Sequence, residues 1–363
     1  MTNDEIRMTN SIMSRFPAFI RHSTFGIRHF LLLLATAAHA QLGLVLPTDN
    51  KALLEQQPEG YFQFVDRTFE GQHTTPWEGG QFGFVRDPRR VGNRILFARF
   101  HEGLDVKPLK RDAKGDPLDE VRAIAAGKVA YVTASAGQSN YGRYVVVRHD
   151  FPGAGAFYSL YAHLRSASVT AGQSVKAGQA LGLMGYTGSG IDQRRAHVHV
   201  ELNLMLNSQF DAWHAENFAT PNHHGVYNGL NMIGLDLQKL FLANWRDPGL
   251  KLPDFIRSTE TAFRVQIPGN ARMEPLAAYP WLWARNGSAT TRPPAYEVSF
   301  SAWGLPLAIQ PAAAAVSMPQ VSFVKDTGLP HYHETRGLVT GSGGSGKLTA
   351  EGLRFLKLLC GPF

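Results

Sequence analysis

His197-Val198-His199-Val200-Glu201-Leu202 alternates polar and apolar residues along its whole length. A period of two marks a strand buried on one face, so His197, His199 and Glu201 project to the same side. The run at 157–164, Phe-Tyr-Ser-Leu-Tyr-Ala-His-Leu, has aromatic-rich strand character and carries His163. Earlier, Arg99-Phe100-His101-Glu102-Gly103-Leu104-Asp105 sets a histidine and a carboxylate four apart, which an extended backbone would turn to one face. A lone His-x-His is more often incidental than metal-binding, and His-x-x-x-Asp alone says less. Three zinc-competent clusters, each in a strand-like setting, are a far more specific signal. A catalytic zinc takes three protein ligands from His, Asp or Glu and keeps one position open. Two histidines and one carboxylate meet that need and leave two histidines for proton transfer. No His-Glu-x-x-His helix occurs, so a histidine must fill the role that Glu has in many zinc peptidases. From these residues the chain reads as a zinc hydrolase on a mainly β, antiparallel framework.

Over residues 97–202 the chain resembles the lysostaphin/LytM-type peptidoglycan zinc metallo-endopeptidases. His101-Glu102-Gly103-Leu104-Asp105 is similar to the first metal motif, and Ala-Ile-Ala-Ala-Gly-Lys-Val-Ala-Tyr-Val at 123–132 to a strand-turn-strand segment. Tyr-Gly-Arg-Tyr-Val-Val-Val-Arg-His at 141–149 resembles the next strand, with Arg143 where Asn is common. Gly-Gln-Ser-Val-Lys-Ala-Gly-Gln-Ala-Leu-Gly at 172–182 resembles the hairpin before the Gly-rich turn 185–190, which leads to His197. The resemblance implies an antiparallel β-sheet core with an open groove. It implies Zn2+ as cofactor, His101, Asp105 and His199 as metal ligands, and His163 and His197 as the catalytic pair. The implied substrate is a peptide bond of peptidoglycan, in the stem peptide or the crosslink. Glu201 is read as a group that fixes a ligand's tautomer, or equally as a strand-edge carboxylate in solvent. Tyr161 shares the face of His163, with aromatic packing the preferred reading.

The chain departs from the family pattern in two places. Residues 107–120 lengthen the link after Asp105, and residues 191–196 stretch the turn before His197. Both are polar or contain Gly and Pro, so they read as enlarged surface loops near the site, where loops shape substrate access.

Two other classes compete. A catalytically silent LytM-like regulator would use the groove to bind or activate another cell-wall hydrolase, but such proteins typically lack part of the metal set. A cupin-like metal oxidoreductase fits His197, His199 and Glu201 alone. That fold expects a wider His-to-Glu gap and leaves the Gly-rich hairpin unexplained.

The first 40 residues read as a secretory signal peptide: Arg15, Arg21 and Arg28 precede Phe30-Leu31-Leu32-Leu33-Leu34, and Ala38-His39-Ala40 supplies a small-x-small cleavage pattern. The apolar core is too short for a permanent span, and no later stretch is apolar enough, so no stable membrane span is expected after cleavage. Cleavage removes four Arg and two acidic residues, taking the net charge from +7 to +5. A modestly basic exported protein, periplasmic or extracellular, suits an anionic envelope polymer. No Lys/Arg run with interleaved aromatics occurs, so no nucleic acid is expected. The one cysteine, Cys360, excludes an intrachain disulfide and sits in an apolar run, as a buried inert thiol would.

The expected organisation is a signal peptide at 1–40, an N-terminal segment at 41–93 packed on or near the core, the zinc peptidase domain at 94–210 and a mixed α+β extension at 211–363. In the flanks, residues 61–65 read as a strand, 231–245 as a helix, 262–267 and 296–300 as strands, and 341–346 as a flexible linker. Thr349 is placed to cap a final helix stopped by Gly361-Pro362. His214, His223, His224, His331 and His333 read as turn or surface histidines, and His149 as structural. Protein partners cannot be read from the sequence.

Overall fold

The computed structural model describes residues 41–363 apart from Val65, Ala134 and residues 285–291. The expected signal peptide lies outside the described residues. A long hairpin, β1 (Gly83–Val91) and β2 (Arg94–His101), turns at Gly92 and delivers His101 at its end. The expected boundary at 93/94 therefore falls at the tip of this hairpin.

A seven-stranded sheet carries most of the centre, beside a small three-stranded one of Glu120–Arg122, Ala180–Leu183 and Ser166–Ala167. The members of the larger sheet are β3 (Leu104–Val106), β4 (Gly127–Thr133), β5 (Tyr144–Phe151), β6 (Gly155–Ala162), β7 (Val198–Met205) and β8 (Met232–Gly234), with Ser174–Val175 outside β4. Neighbours pair antiparallel in the order β4-β5-β6-β7, and β3 and β8 share the far edge of β7. The mainly antiparallel β architecture expected from the sequence is thus present. Register sorts the two faces. Val200 lies opposite Tyr161 and Tyr161 opposite Val145, and all three enter the main core. Glu201 lies opposite Leu160 and Leu160 opposite Val146, on the other face. There a small apolar floor of Tyr144, Val146, Leu160, Ala162 and Met232 underlies the histidines. Alternation in β7 thus gives one strand to two environments, a dry core and a polar cleft.

Tyr161 is a core residue. Its hydroxyl accepts the Ile124 N–H at 2.7 Å and lies 3.0 Å from the Ser159 hydroxyl. His149 closes the same buried chain, with Nδ1 at 2.9 Å from the Ala126 carbonyl and Nε2 at 2.7 Å from Ser159 Oγ. Burial pushes His149 down to about 4. The unfolded chain takes up a proton near ~6.5, whereas the folded chain resists until about 4. Stability present above the first value is lost as pH falls through this window. At ~1.4 kcal/mol per pKa unit the loss is roughly 3 kcal/mol. His149→Gln removes that titration, so its stability deficit against the wild type should shrink by about this amount between roughly pH 7 and pH 4. Urea unfolding of both proteins at the two pH values measures it, and a constant deficit would contradict the account.

The N-terminal segment is stitched to the metal motif rather than separate from it. The Gln63 N–H donates to the Asp105 carbonyl at 2.7 Å, and the Lys107 N–H to the Tyr61 carbonyl at 3.0 Å. Residues 61–64 are not a strand, and Val65 lies outside the described residues: Pro58 opens a short helix, Pro58–Tyr61, and Phe62 makes only a single bridge to Val106. Both rings are fully buried, so their apolar spacing serves the core without strand pairing.

The C-terminal extension is mixed. Helix α1 (Phe210–Asn217) leads to β8, and α2 (Leu237–Arg246) follows it. A four-stranded antiparallel sheet is formed by β9 (Phe263–Pro268), β10 (Ala295–Phe300), β11 (Pro306–Ala312) and β12 (Gln320–Val324), in the order β11-β10-β9-β12. The strands expected near 262–267 and 296–300 are present. The helix expected over 231–245 begins only at Leu237, capped by the Asp236 side chain, because residues 232–234 are taken by the edge of β7. Residues 341–346 are not a linker. They lie in a hairpin of β13 (Val339–Ser342) and β14 (Ser345–Leu348), where Gly343 takes φ 66° in the turn. Glycine is what lets so tight a turn form. The final helix α3 (Ala350–Cys360) starts as expected, with Thr349 Oγ1 accepting the Gly352 N–H at 3.0 Å. Cys360 is buried, and burial pushes its thiol up to about 12.

Candidate metal centre

His101 and Asp105 do not share one strand, as an extended reading of 101–105 would have it. His101 ends β2 and Asp105 sits in β3, with the chain turning at Gly103 between them. A Cβ on Gly103 would lie 2.4 Å from the Val200 carbonyl oxygen and 3.0 Å from His199, so only glycine allows this close approach. The two side chains still converge: His101 Nε2 is 3.1 Å from Asp105 Oδ1. His199, paired opposite Asp105 in register, brings Nδ1 to 3.0 Å from that oxygen and 3.0 Å from His101 Nε2. All three residues are buried. A tetrahedral zinc with ~2.0–2.1 Å bonds needs donor atoms about 3.3 Å apart. The three atoms fit that triangle after an outward shift of a few tenths of an ångström.

Each histidine is oriented from behind. His101 Nδ1 donates to the Gln81 carbonyl at 2.7 Å, leaving Nε2 as the inward lone pair. His199 Nε2 donates to Glu201 Oε1 at 2.6 Å, leaving Nδ1 inward. Glu201 is itself buried and held by the Tyr141 hydroxyl at 2.7 Å and Asn203 Nδ2 at 2.9 Å. It is therefore not a strand-edge carboxylate in solvent. Fixing a ring through its second nitrogen is how metal-binding histidines are held.

The remaining pair, His163 and His197, stands beside this cluster. Their ring centroids are 4.8 Å apart, and His197 Nε2 is 3.3 Å from Asp105 Oδ1. His163 Nδ1 donates to the Thr187 carbonyl at 2.8 Å and His197 Nδ1 to the Arg195 carbonyl at 2.7 Å. Both rings are thereby fixed at Nδ1, and the Nε2 of His197 stands in contact with Asp105 Oδ1. His163 also holds a left-handed backbone, φ 63°, a strained conformation that clusters at functional sites. The structure brings all five sequence-selected residues into one cleft of about 870 Å³.

Electrostatics follows from burial and from these contacts. Burial, with His197 and His199 adding to it, holds His163 well below its ordinary value, in the neutral form. Burial also lowers His101. Burial alone would lower His199 too, but its hydrogen bonds to Asp105 and Glu201 lift it to about 9. Burial works to raise Asp105, yet His101, His197 and Arg86 hold its carboxyl well below the usual range. A cation entering here meets an ionised carboxylate and displaces a proton from His199.

Arg86 is the residue that sequence reading missed. Its Nη2 donates to Asp105 Oδ2 at 2.5 Å and its Nε to the Gly79 carbonyl at 3.0 Å. A bulge between Phe84 and Arg86, followed by Asp87 at φ 54°, aims the side chain at the carboxylate. The other histidines correct the surface reading. His214, His224 and His331 are buried, and His224 contacts the Tyr131 hydroxyl at 3.0 Å and the Gln138 carbonyl at 3.2 Å. Among the described residues, His101, Asp105 and His199 form the one group of three or more such side chains close enough to hold an ion.

An open antiparallel sheet bearing a His-Asp-His cluster, with two more histidines beside it, has the arrangement of a metallopeptidase centre. Residues 99–211 match the sequence model of peptidase family M23, and the LytM/lysostaphin-type resemblance is borne out over that segment. Among solved structures the chain is similar to the catalytic domain of the antimicrobial peptidase lysostaphin from Staphylococcus simulans. That match has 26% identity over 36% of this chain and 86% of that one, with a TM-score of 0.23. A zinc containing peptidase from Vibrio cholerae matches at 25% identity over 34% of this chain and 36% of that one, TM-score 0.23. The SpoIIQ–SpoIIIAH pore forming complex matches at 18% identity over 45% and 84%, TM-score 0.28. No curated protein matches the chain. Among the described residues, no helix is long and apolar enough to cross a membrane.

Proposed function

We propose that this protein is an exported zinc metallo-endopeptidase that hydrolyses peptide bonds in peptidoglycan. One observation carries the reading: His163 and His197, each locked at Nδ1 by a backbone carbonyl, flank a buried His-Asp-His triangle of zinc-compatible size. His101 Nε2, Asp105 Oδ1 and His199 Nδ1 would hold the ion. Zinc bound there supplies Lewis acidity and brings the pKa of a water down to ~7. His163, neutral through burial, takes the proton from the attacking water at Nε2. His197, beside it, donates hydrogen bonds to the developing oxyanion once protonated and can return a proton to the leaving amine. Glu201 and Tyr141 hold the His199 ring throughout. The apolar floor under the histidines helps exclude water from the reacting atoms.

Arg86 has a distinct task in this reading. By occupying Oδ2 it leaves Asp105 a single oxygen for the metal. Arg86→Met should weaken zinc binding by about 10–100-fold in chelator competition, as loss of an outer hydrogen bond to a ligand typically does. Removing a positive charge would by itself favour the cation, so unchanged or tighter binding would show that charge outweighs orientation. The silent-regulator alternative predicts binding to the cell wall or to another hydrolase without cleavage. Release of new amino termini from purified peptidoglycan, stopped by a chelator and restored by zinc, tests the enzyme reading directly.

A further inference from the structure

We propose that Arg195 is a specificity residue that receives a free carboxylate of the substrate peptide, so that the groove selects an acidic peptide over its carboxamide counterpart. The proposal rests on the peptidase reading and refines its substrate class.

The cleft is lined by five arginines, and four are already matched to carboxylates. Arg86 is bound to Asp105, Arg336 to Glu102 at 2.8 Å, and Arg67 and Arg99 both face Asp87, at 3.3 and 3.9 Å. Arg195 differs. Among the described residues no carboxylate lies within ion-pair distance of its guanidinium. Its Nη1 donates to the Gly190 carbonyl at 2.8 Å, and its Nε is buried without any partner. A guanidinium held by one nitrogen, with the others unused, is a fork waiting for a planar anion. Leaving a buried donor unmet is costly, so this guanidinium is incompletely matched within the chain.

The support around Arg195 explains why it stands ready. The two loops that depart from the family pattern clamp each other. Arg111 donates to the Gly115 and Gln193 carbonyls at 2.8 and 2.7 Å and to the Arg194 carbonyl at 3.3 Å. Gln193 Nε2 returns bonds to Asp116 Oδ1 at 2.6 Å and the Lys114 carbonyl at 3.1 Å. The Tyr186 hydroxyl donates to the same Asp116 oxygen at 3.0 Å. Asp192 accepts the Arg195 N–H at 3.0 Å, fixing the short turn Gln193–Arg195. The Arg195 carbonyl in turn orients His197. The side chain that reads the substrate and the ring that serves the chemistry are therefore two residues apart on one braced turn. Two residues span at most ~7 Å of backbone, so the carboxylate is sought first on the residues beside the scissile bond.

The test uses one pair of synthetic peptides that differ only in a carboxylate or carboxamide next to the cleavage position. Both cleavage and equilibrium binding by calorimetry are measured for the wild type, Arg195→Gln and Arg195→Lys, with zinc content and thermal unfolding as controls. The wild type should favour the carboxylate about 10–100-fold in kcat/KM and in affinity, the range for a charge-assisted fork. Arg195→Gln should bring that ratio close to one, and Arg195→Lys should restore part of it. No preference in the wild type, or a preference untouched in Arg195→Gln, overturns the proposal. Should the wild type bind with an Arg195-dependent preference yet cut neither peptide, the proposal stands and the peptidase reading fails. Should Arg195→Gln lose its fold, Arg195→Lys decides: with the charge kept and the fork lost, its ratio must fall below that of the wild type.

Discussion

His199→Ala is expected to lose zinc and turnover together. His199 Nδ1 sits 3.0 Å from each of the other two donor atoms, so its removal leaves a two-donor site. Zinc in proteins is held by three or four such donors. A second consequence lies behind the ring. Glu201 is buried and ionised in part because His199 faces it at 2.6 Å; the substitution leaves it only Tyr141 and Asn203. Stripping a partner from a buried charge costs on the order of 3–5 kcal/mol, so a lowered melting temperature should accompany the metal loss. The companion His199→Ala/Glu201→Gln separates the effects. It removes the stranded charge and should recover stability, but neither zinc nor activity. Metal analysis, amino-group release and thermal unfolding on one preparation read all three. Wild-type-like turnover in purified His199→Ala would contradict the ligand assignment.

His163→Ala is expected to keep zinc and lose turnover by roughly 10²–10⁴-fold, the usual contribution of a positioned general base. None of the three donor atoms belongs to His163, and its Nδ1 is spent on the Thr187 carbonyl, so the ion's seat is untouched. The backbone offers an internal control. At φ 63°, alanine pays the left-handed strain of about 1–2 kcal/mol that glycine does not. His163→Gly should therefore be more stable than His163→Ala while equally inactive. Equal inactivity at unequal stability assigns the loss to chemistry. Retention of turnover in both variants would remove His163 from the mechanism.

The parts of this site that the sequence makes legible are those written in short-range pattern. The alternation of His197 to Leu202 gives a strand, its polar face and the shared side of His199 and Glu201, and register then sets Asp105 opposite His199. Thr349 before a helical run gives α3. What cannot be read is whatever depends on where a distant segment lands. Arg86 belongs to no motif, and only a bulge and a left-handed Asp87 turn it toward Asp105. Residues 232–234 carry no signal that the edge of β7 will claim them from a helix. Polar, loop-like surroundings suggested exposure for His214, His224 and His331, whereas packing against the cleft and the C-terminal elements buries them. The Gly-Ser run 341–346 has linker composition, yet the same glycines permit a tight hairpin once flanking residues find pairing partners.

The most direct test of the central claim is zinc stoichiometry and peptidoglycan cleavage measured on the same purified sample, before and after chelation and zinc return. The account predicts one zinc per chain, with new amino termini that vanish on chelation and reappear with zinc. A chain that binds no metal under loading conditions would mean that His101, Asp105 and His199 do not act as a site. One that holds zinc yet releases no amino termini would contradict the peptidase and favour the silent regulator.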